Sequence, residues 1–167
     1  MSGNAARTVL LLAATMATGL GAGVFGLYAH TIIPGLRTTD DKTFVGAFQS
    51  IDRAIVNPWF IGATFLGAAV FTAVAAATNR GTRAFAWILG ALVAYLATMT
   101  ITFVVHVPLN DAIKTADTVD NIADLHRVRS NFHEARWAAW NLVRAVTSTC
   151  AFLALSWSLV LHGRSTP

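Results

Sequence analysis

The sequence predicts an all-α integral membrane protein: a four-helix bundle with two helical extramembrane segments capping one end. Three observations carry that prediction. Four apolar stretches, at about 8–33, 59–78, 84–106 and 140–161, each reach the ~20 residues a helix needs to cross roughly 30 Å of hydrocarbon. Charged residues make up 12% of the chain, about half the ~25% usual in soluble domains. All eight acids lie in two windows, Asp40–Asp52 and Asp111–Glu134, so the rest is almost acid-free. The whole chain, 1–167, reads as one such domain, with capping segments at 34–58 and 107–139.

The first stretch begins after Arg7 like a secretory leader, TVLLLAATMATGLGAG. Its apolar run continues through VFGLYAHTII, well past the 7–15 residues of a leader's apolar region, so a retained first helix is expected. GAGVFG at 21–26 has the form G-x-G-x-x-G, but that motif works only after a strand, and here it sits inside a helix. Gly19, Gly23 and Gly26 instead share a face at the spacing of close helix packing, within one chain or between copies of a homo-oligomer. Ile33-Pro34-Gly35 reads as the stop, because proline cannot continue the hydrogen-bond ladder.

In the first capping segment Phe44, Phe48, Ile51 and Ile55 recur at helical spacing, which predicts an amphipathic helix lying at the membrane interface. Asn57-Pro58-Trp59 supplies an N-cap, a proline at the first helical position and an interfacial aromatic for the second apolar helix. That helix runs to Thr78, and NRGTR forms a tight turn. The third ends near His106, with Pro108 as its stop. The second capping segment is expected to be largely helical and to run into the fourth apolar helix.

The net charge of +4 does not indicate a nucleic-acid partner, because the bases are scattered and such a footprint needs clustered Lys and Arg. The N-terminus (Arg7), the turn (Arg80, Arg83) and the C-terminus (Arg164) carry bases and no acids. By the positive-inside bias both termini are expected in the cytoplasm, with the capping segments outside, in the plasma membrane. The single Cys150 lies in the fourth apolar run and cannot pair within the chain.

Helix ends at the expected outer face gather the chemistry. Tyr95, Thr98, Met99, Thr102 and His106 share one face of the third helix, although membrane threonines often bond only to their own helix. In NFHEARWAAWNLVRAV, residues 131–146, His133, Trp137, Trp140 with Asn141, and Arg144 form a stripe at i, i+4, i+7/i+8 and i+11. An aromatic belt and a snorkelling cation account for Trp137 and Arg136. They do not account for Asn141 and Arg144, which lie deeper. An ionisable group there is expected to face the bundle interior. The stripe therefore reads as one wall of a pocket that also takes in Tyr28, His106, Trp59, Asn110 and, from the capping helix, Phe48.

Three motifs in order, NPWF at Asn57–Phe60, HVPLN at His106–Asn110 and RWAAWNLVR at Arg136–Arg144, resemble the anthrone oxygenase-like family of small four-helix membrane proteins. The resemblance covers nearly the whole chain. It implies oxidation of anthrones to anthraquinones with molecular oxygen and no cofactor, as in aromatic polyketide pathways.

The chemistry assigns the roles. A flat, apolar anthrone has an acidic benzylic C–H opposite its carbonyl, so the site needs a base, a cation at the developing oxyanion and an aromatic slot. His106 or His133 suits the first, and Arg144 with Asn141 the second. Tyr28, Phe48, Trp59, Asn110, Trp137 and Trp140 would bind the substrate. No metal site is expected; a rival is a metal held by His30, His106, His126 and His133, since imidazoles suit copper, iron or zinc. HEARW is not H-E-x-x-H, and no pair has tight ligand spacing. A second rival is a non-catalytic membrane subunit or small-molecule carrier.

Overall fold

A computed structural model of the chain describes residues 3–114, 116 and 119–164. All of its regular structure is helical. Four helices are long and apolar enough to cross a membrane: α1 (Gly3–Arg37), α3 (Trp59–Thr78), α4 (Phe85–Lys114) and the pair α5 (Leu125–Asn131) and α6 (Glu134–Arg164). Between α1 and α3 lies α2 (Asp41–Ile55). α1 packs on α3 and α6, and α4 packs on the same two, which closes a ring of four helices. Their outer faces carry large apolar side chains such as Leu12, Met16, Val70, Val93, Leu96, Val146 and Leu153. Backbone polar groups satisfied within helices, clad in an apolar surface, are what hydrocarbon requires. The chain is an integral membrane protein.

The capping segments fold as anticipated in part. α2 begins at an N-cap, with Asp40 Oδ1 accepting from the Thr43 N–H at 2.8 Å. It buries Phe44 and Phe48 and packs on α5 and on the last turns of α4. The amphipathic helix is therefore a lid on the bundle. Arg129 of α5 ties this lid down. It bonds Asp41 Oδ1 and the Thr39 carbonyl at 3.0 Å each, pairs with Glu134, and lies over the Phe44 ring at 4.2 Å. Arg37 pairs with the same Glu134. The portion of the second capping segment at 115, 117 and 118 lies outside the described residues.

Two expected stops are not stops. α1 continues past Pro34 to Arg37, and α4 past Pro108 to Lys114. Each proline follows a π-helical stretch, Tyr28–Ile32 and Thr102–His106. In these the next N–H reaches back five residues, from Ile33 to the Tyr28 carbonyl and from Val107 to the Thr102 carbonyl. The wider turn relieves the clash between a proline ring and the carbonyl four residues earlier, which otherwise breaks a helix. A third π-helical stretch, Trp59–Leu66, opens α3 after Pro58. Its start is capped as the sequence indicates, with Asn57 Oδ1 accepting from the Phe60 N–H at 2.9 Å.

The glycine face is only partly used. A Cβ on Gly19 would come within 2.8 Å of the Phe152 ring on α6, so that approach needs glycine. Gly23 and Gly26 meet nothing within 4 Å, so they do not pack helices within this chain.

Candidate active site

The cap end of the bundle encloses a cavity with about 760 Å³ of empty space, its open mouth included. α1 contributes Phe25 and Tyr28, α2 contributes Phe48 and Asp52, α3 contributes Phe60 and Phe65, α4 contributes Thr102, His106 and Asn110, and α6 contributes Trp137 and Arg144. All three π-helical stretches supply wall residues: Tyr28, then Phe60 and Phe65, then Thr102 and His106. Such stretches often occur at functional sites, because they turn side chains off the regular helical register.

Trp137 is the hub. Its ring meets Tyr28 at 5.6 Å, Phe48 edge-on at 5.7 Å and His106 edge-on at 4.9 Å between centroids. Its indole N–H donates to Asn110 Oδ1 at 2.7 Å, and Asn110 Nδ2 donates to Asp52 Oδ1 at 2.7 Å. One chain of bonds thus runs from α6 through α4 to the α2 lid.

Arg144 is 6% exposed, so it does not snorkel. Nη2 donates to Asn141 Oδ1 at 2.8 Å and Nη1 to Thr102 Oγ1 at 3.2 Å. Asn141 is fixed in turn, its Nδ2 donating to the Phe25 carbonyl at 3.1 Å. The guanidinium lies 4.6 Å from the Phe25 ring centre and 5.6 Å from that of Trp137. Among the described residues no acid pairs with it, and its Nε makes no hydrogen bond. An arginine at mid-helix costs about 2.5–3.5 kcal/mol to insert even on the mildest scale. Here the neutral partners and ring faces offset only part of that, leaving a cation with spare donor capacity beside an aromatic cavity.

Of the residues picked from the sequence, Tyr28, Phe48, His106, Asn110, Trp137 and Arg144 line the cavity, and Asn141 holds Arg144. Three do not belong to it. His133 is exposed and precedes α6 in a left-handed backbone conformation (φ 50°). Its carbonyl caps the helix by accepting from the Trp137 N–H at 3.0 Å, while its side chain is carried outside. The stripe therefore starts at Trp137. Trp140, 40% exposed, and Trp59, 60% exposed, face outward as belt residues. The four outer histidines do not form a set either: His30 bonds Thr31, His126 bonds Asp41, and only His106 is buried. Among the described residues no three His, Cys, Asp or Glu side chains gather closely enough to hold a metal.

Sequence reading missed Asp52 and the phenylalanine walls. A signal for Asp52 existed. It follows Phe48 by four residues, so it shares the face of α2 that buries Phe44 and Phe48, and an acid on an apolar face is informative.

Fold and site together define a class: a small four-helix membrane protein with a capped, aromatic-walled cavity and a buried cation. Residues 55–154 match the model of the anthrone oxygenase family. That stretch exceeds half of the chain and contains all three motifs, so the protein belongs to the anthrone oxygenase family. No curated protein and no solved structure matches the chain.

Proposed function

We propose that this protein is an oxygenase of the membrane that oxidises a flat, anthrone-like aromatic polyketide to its quinone, with molecular oxygen as co-substrate and no bound cofactor. The observation that carries the reading is Arg144, a buried guanidinium with no acidic partner among the described residues, facing an aromatic cavity. Loss of the benzylic proton turns such a ketone into an aromatic enolate, and its oxyanion is the charge this guanidinium is placed to receive. A preorganised donor in a water-poor site is worth far more than in solution. Tyr28, Phe48 and Trp137 supply faces and edges for a tricyclic ring system. Val56 and Val107, exposed apolar residues at the cavity's rim, suit a substrate that partitions into lipid. The charge bias described above supports cytoplasmic termini.

Oxygen consumption by the detergent-purified protein with a simple anthrone, corrected for spontaneous oxidation and run with and without a strong chelator, tests this. The expected result is chelator-insensitive uptake of one oxygen molecule per quinone formed. Activity lost to the chelator would transfer the chemistry to a metal. No uptake above background would reject the reaction.

A further inference from the structure

Asp52 lies outside the stretch that matches the family and outside the three motifs. It is 5% exposed and lines the cavity. Oδ1 is held by Asn110. Oδ2 is buried and, among the described residues, accepts no hydrogen bond. The nearest cation is Lys114, whose Nζ is 3.5 Å from Oδ2 and also 3.2 Å from Asp111. Buried carboxylate oxygens ordinarily find a donor. Here the partner of Oδ2 is the Lys114 ammonium, as an ion pair, and the carboxylate lines the cavity beside it.

His106 is held differently. Nδ1 lies 3.4 Å from the Ile101 carbonyl and Nε2 3.3 Å from the Trp137 carbonyl. Carbonyl oxygens only accept, and a neutral imidazole has one N–H. Both ring nitrogens are thus turned to the backbone, and neither presents a lone pair to the cavity.

We propose that Asp52 is the catalytic base of the oxidation, with Asn110 and Trp137 positioning it through Oδ1. The proposal rests on the anthrone-oxidising reading above. Oδ2 takes a benzylic proton, and the C–H electron pair spreads onto the carbonyl oxygen beside Arg144. The enolate is oxidised and oxygen is reduced as a C–O bond forms at the benzylic carbon, and Asp52 returns its proton to the peroxide. Asp52 then removes the second hydrogen from that carbon. The C=O bond forms, the O–O bond breaks, and the departing hydroxide takes the proton from Asp52 as water. Anthrone and oxygen become quinone and water, and the carboxylate is regenerated.

The step can be isolated from oxygen. Under argon in D2O, the full-length protein in detergent should exchange the benzylic hydrogens of an anthrone above the spontaneous rate. Asp52→Asn keeps an acceptor for Asn110 but cannot take the proton. It should lose at least about 100-fold in both exchange and aerobic turnover, the lower range for a general base, while still binding the quinone product as read by tryptophan quenching. Asp52→Glu should recover part of the exchange. Exchange and turnover retained in Asp52→Asn would overturn the proposal and leave the anthrone reading intact. Loss of quinone binding together with turnover would also overturn it, by making Asp52 structural. Wild-type protein that neither exchanges nor oxidises an anthrone would overturn the reading itself.

Discussion

Around Ala75, Ala76, Ala91 and Ala151 the helices meet through single-carbon side chains, with Leu11, Ile88 and Leu155 filling between them. Toward the cap the same helices are faced with Phe25, Phe60, Phe65 and Trp137 and depart from α-helical geometry in three places. Tyr95 joins the two regions, its hydroxyl donating to the Phe65 carbonyl at 3.0 Å. Polar groups divide in the same way. In the alanine half several bond back to their own helix, Thr15 to the Leu11 carbonyl, Asn79 to that of Ala75 and Ser158 to that of Ala154, while Thr8 and His162 meet across helices at the far end. In the aromatic half the bonds around the cavity also cross between helices: Arg144 to Thr102, Asn141 to Phe25, Trp137 to Asn110, Asn110 to Asp52. Small side chains let helices close completely. Bulky rings on widened turns leave space, and polar groups facing that space need partners from other helices. One half is built for cohesion and the other for a guest.

That division is open to attack by substitution. Arg144→Ala carries the largest expected effect: a loss of about 100- to 1,000-fold in kcat, the range for removing one oxyanion donor, with the fold kept as judged by helical circular dichroism. Ala75→Leu comes next and acts on the other quantity. Overpacking a fully buried position should cost about 1–3 kcal/mol, seen as a lower unfolding temperature in detergent, with turnover per folded molecule unchanged.

The smallest effect concerns the lid's exposed ion pair. Lys42 and Asp120 lie 2.8 Å apart; their hydrogen bond and charge attraction lower the Asp120 carboxyl below its ordinary 3.8 and raise the Lys42 ammonium above its ordinary 10.5. The carboxylate's contribution is present above pH 3.8 and is lost as the pH falls through its lowered value. The lysine's is present below pH 10.5 and is lost as the pH rises through its raised value. The Asp40 cap, lowered by the Thr43 N–H, behaves as Asp120 does. Amide exchange at the start of α2, referred to exchange in the alanine half, should therefore quicken only outside that window, and modestly, because exposed pairs are weak.

The membrane helices were legible because twenty-residue apolar runs have few alternatives, and the Asn57 cap because its residue pattern fixes local geometry. Trp137, Asn141 and Arg144 were legible because a regular helix maps spacing onto direction. His133 was not: the helix begins one residue later, and a left-handed backbone turned its side chain away. Pro34 and Pro108 look like stops in any sequence, since only the backbone reveals a turn widened to admit them. Asp52 draws no notice from hydrophobic periodicity, which marks the α2 face by its apolar residues, although the acid lies on the same face.

Oxygen uptake with an anthrone, measured side by side for wild type, Arg144→Ala and Ala75→Leu and normalised to folded protein, tests the division most directly. Equal turnover is expected for wild type and Ala75→Leu, and turnover lower by two orders of magnitude or more for Arg144→Ala. Turnover in Arg144→Ala equal to wild type, or an equal loss in both variants, would contradict it.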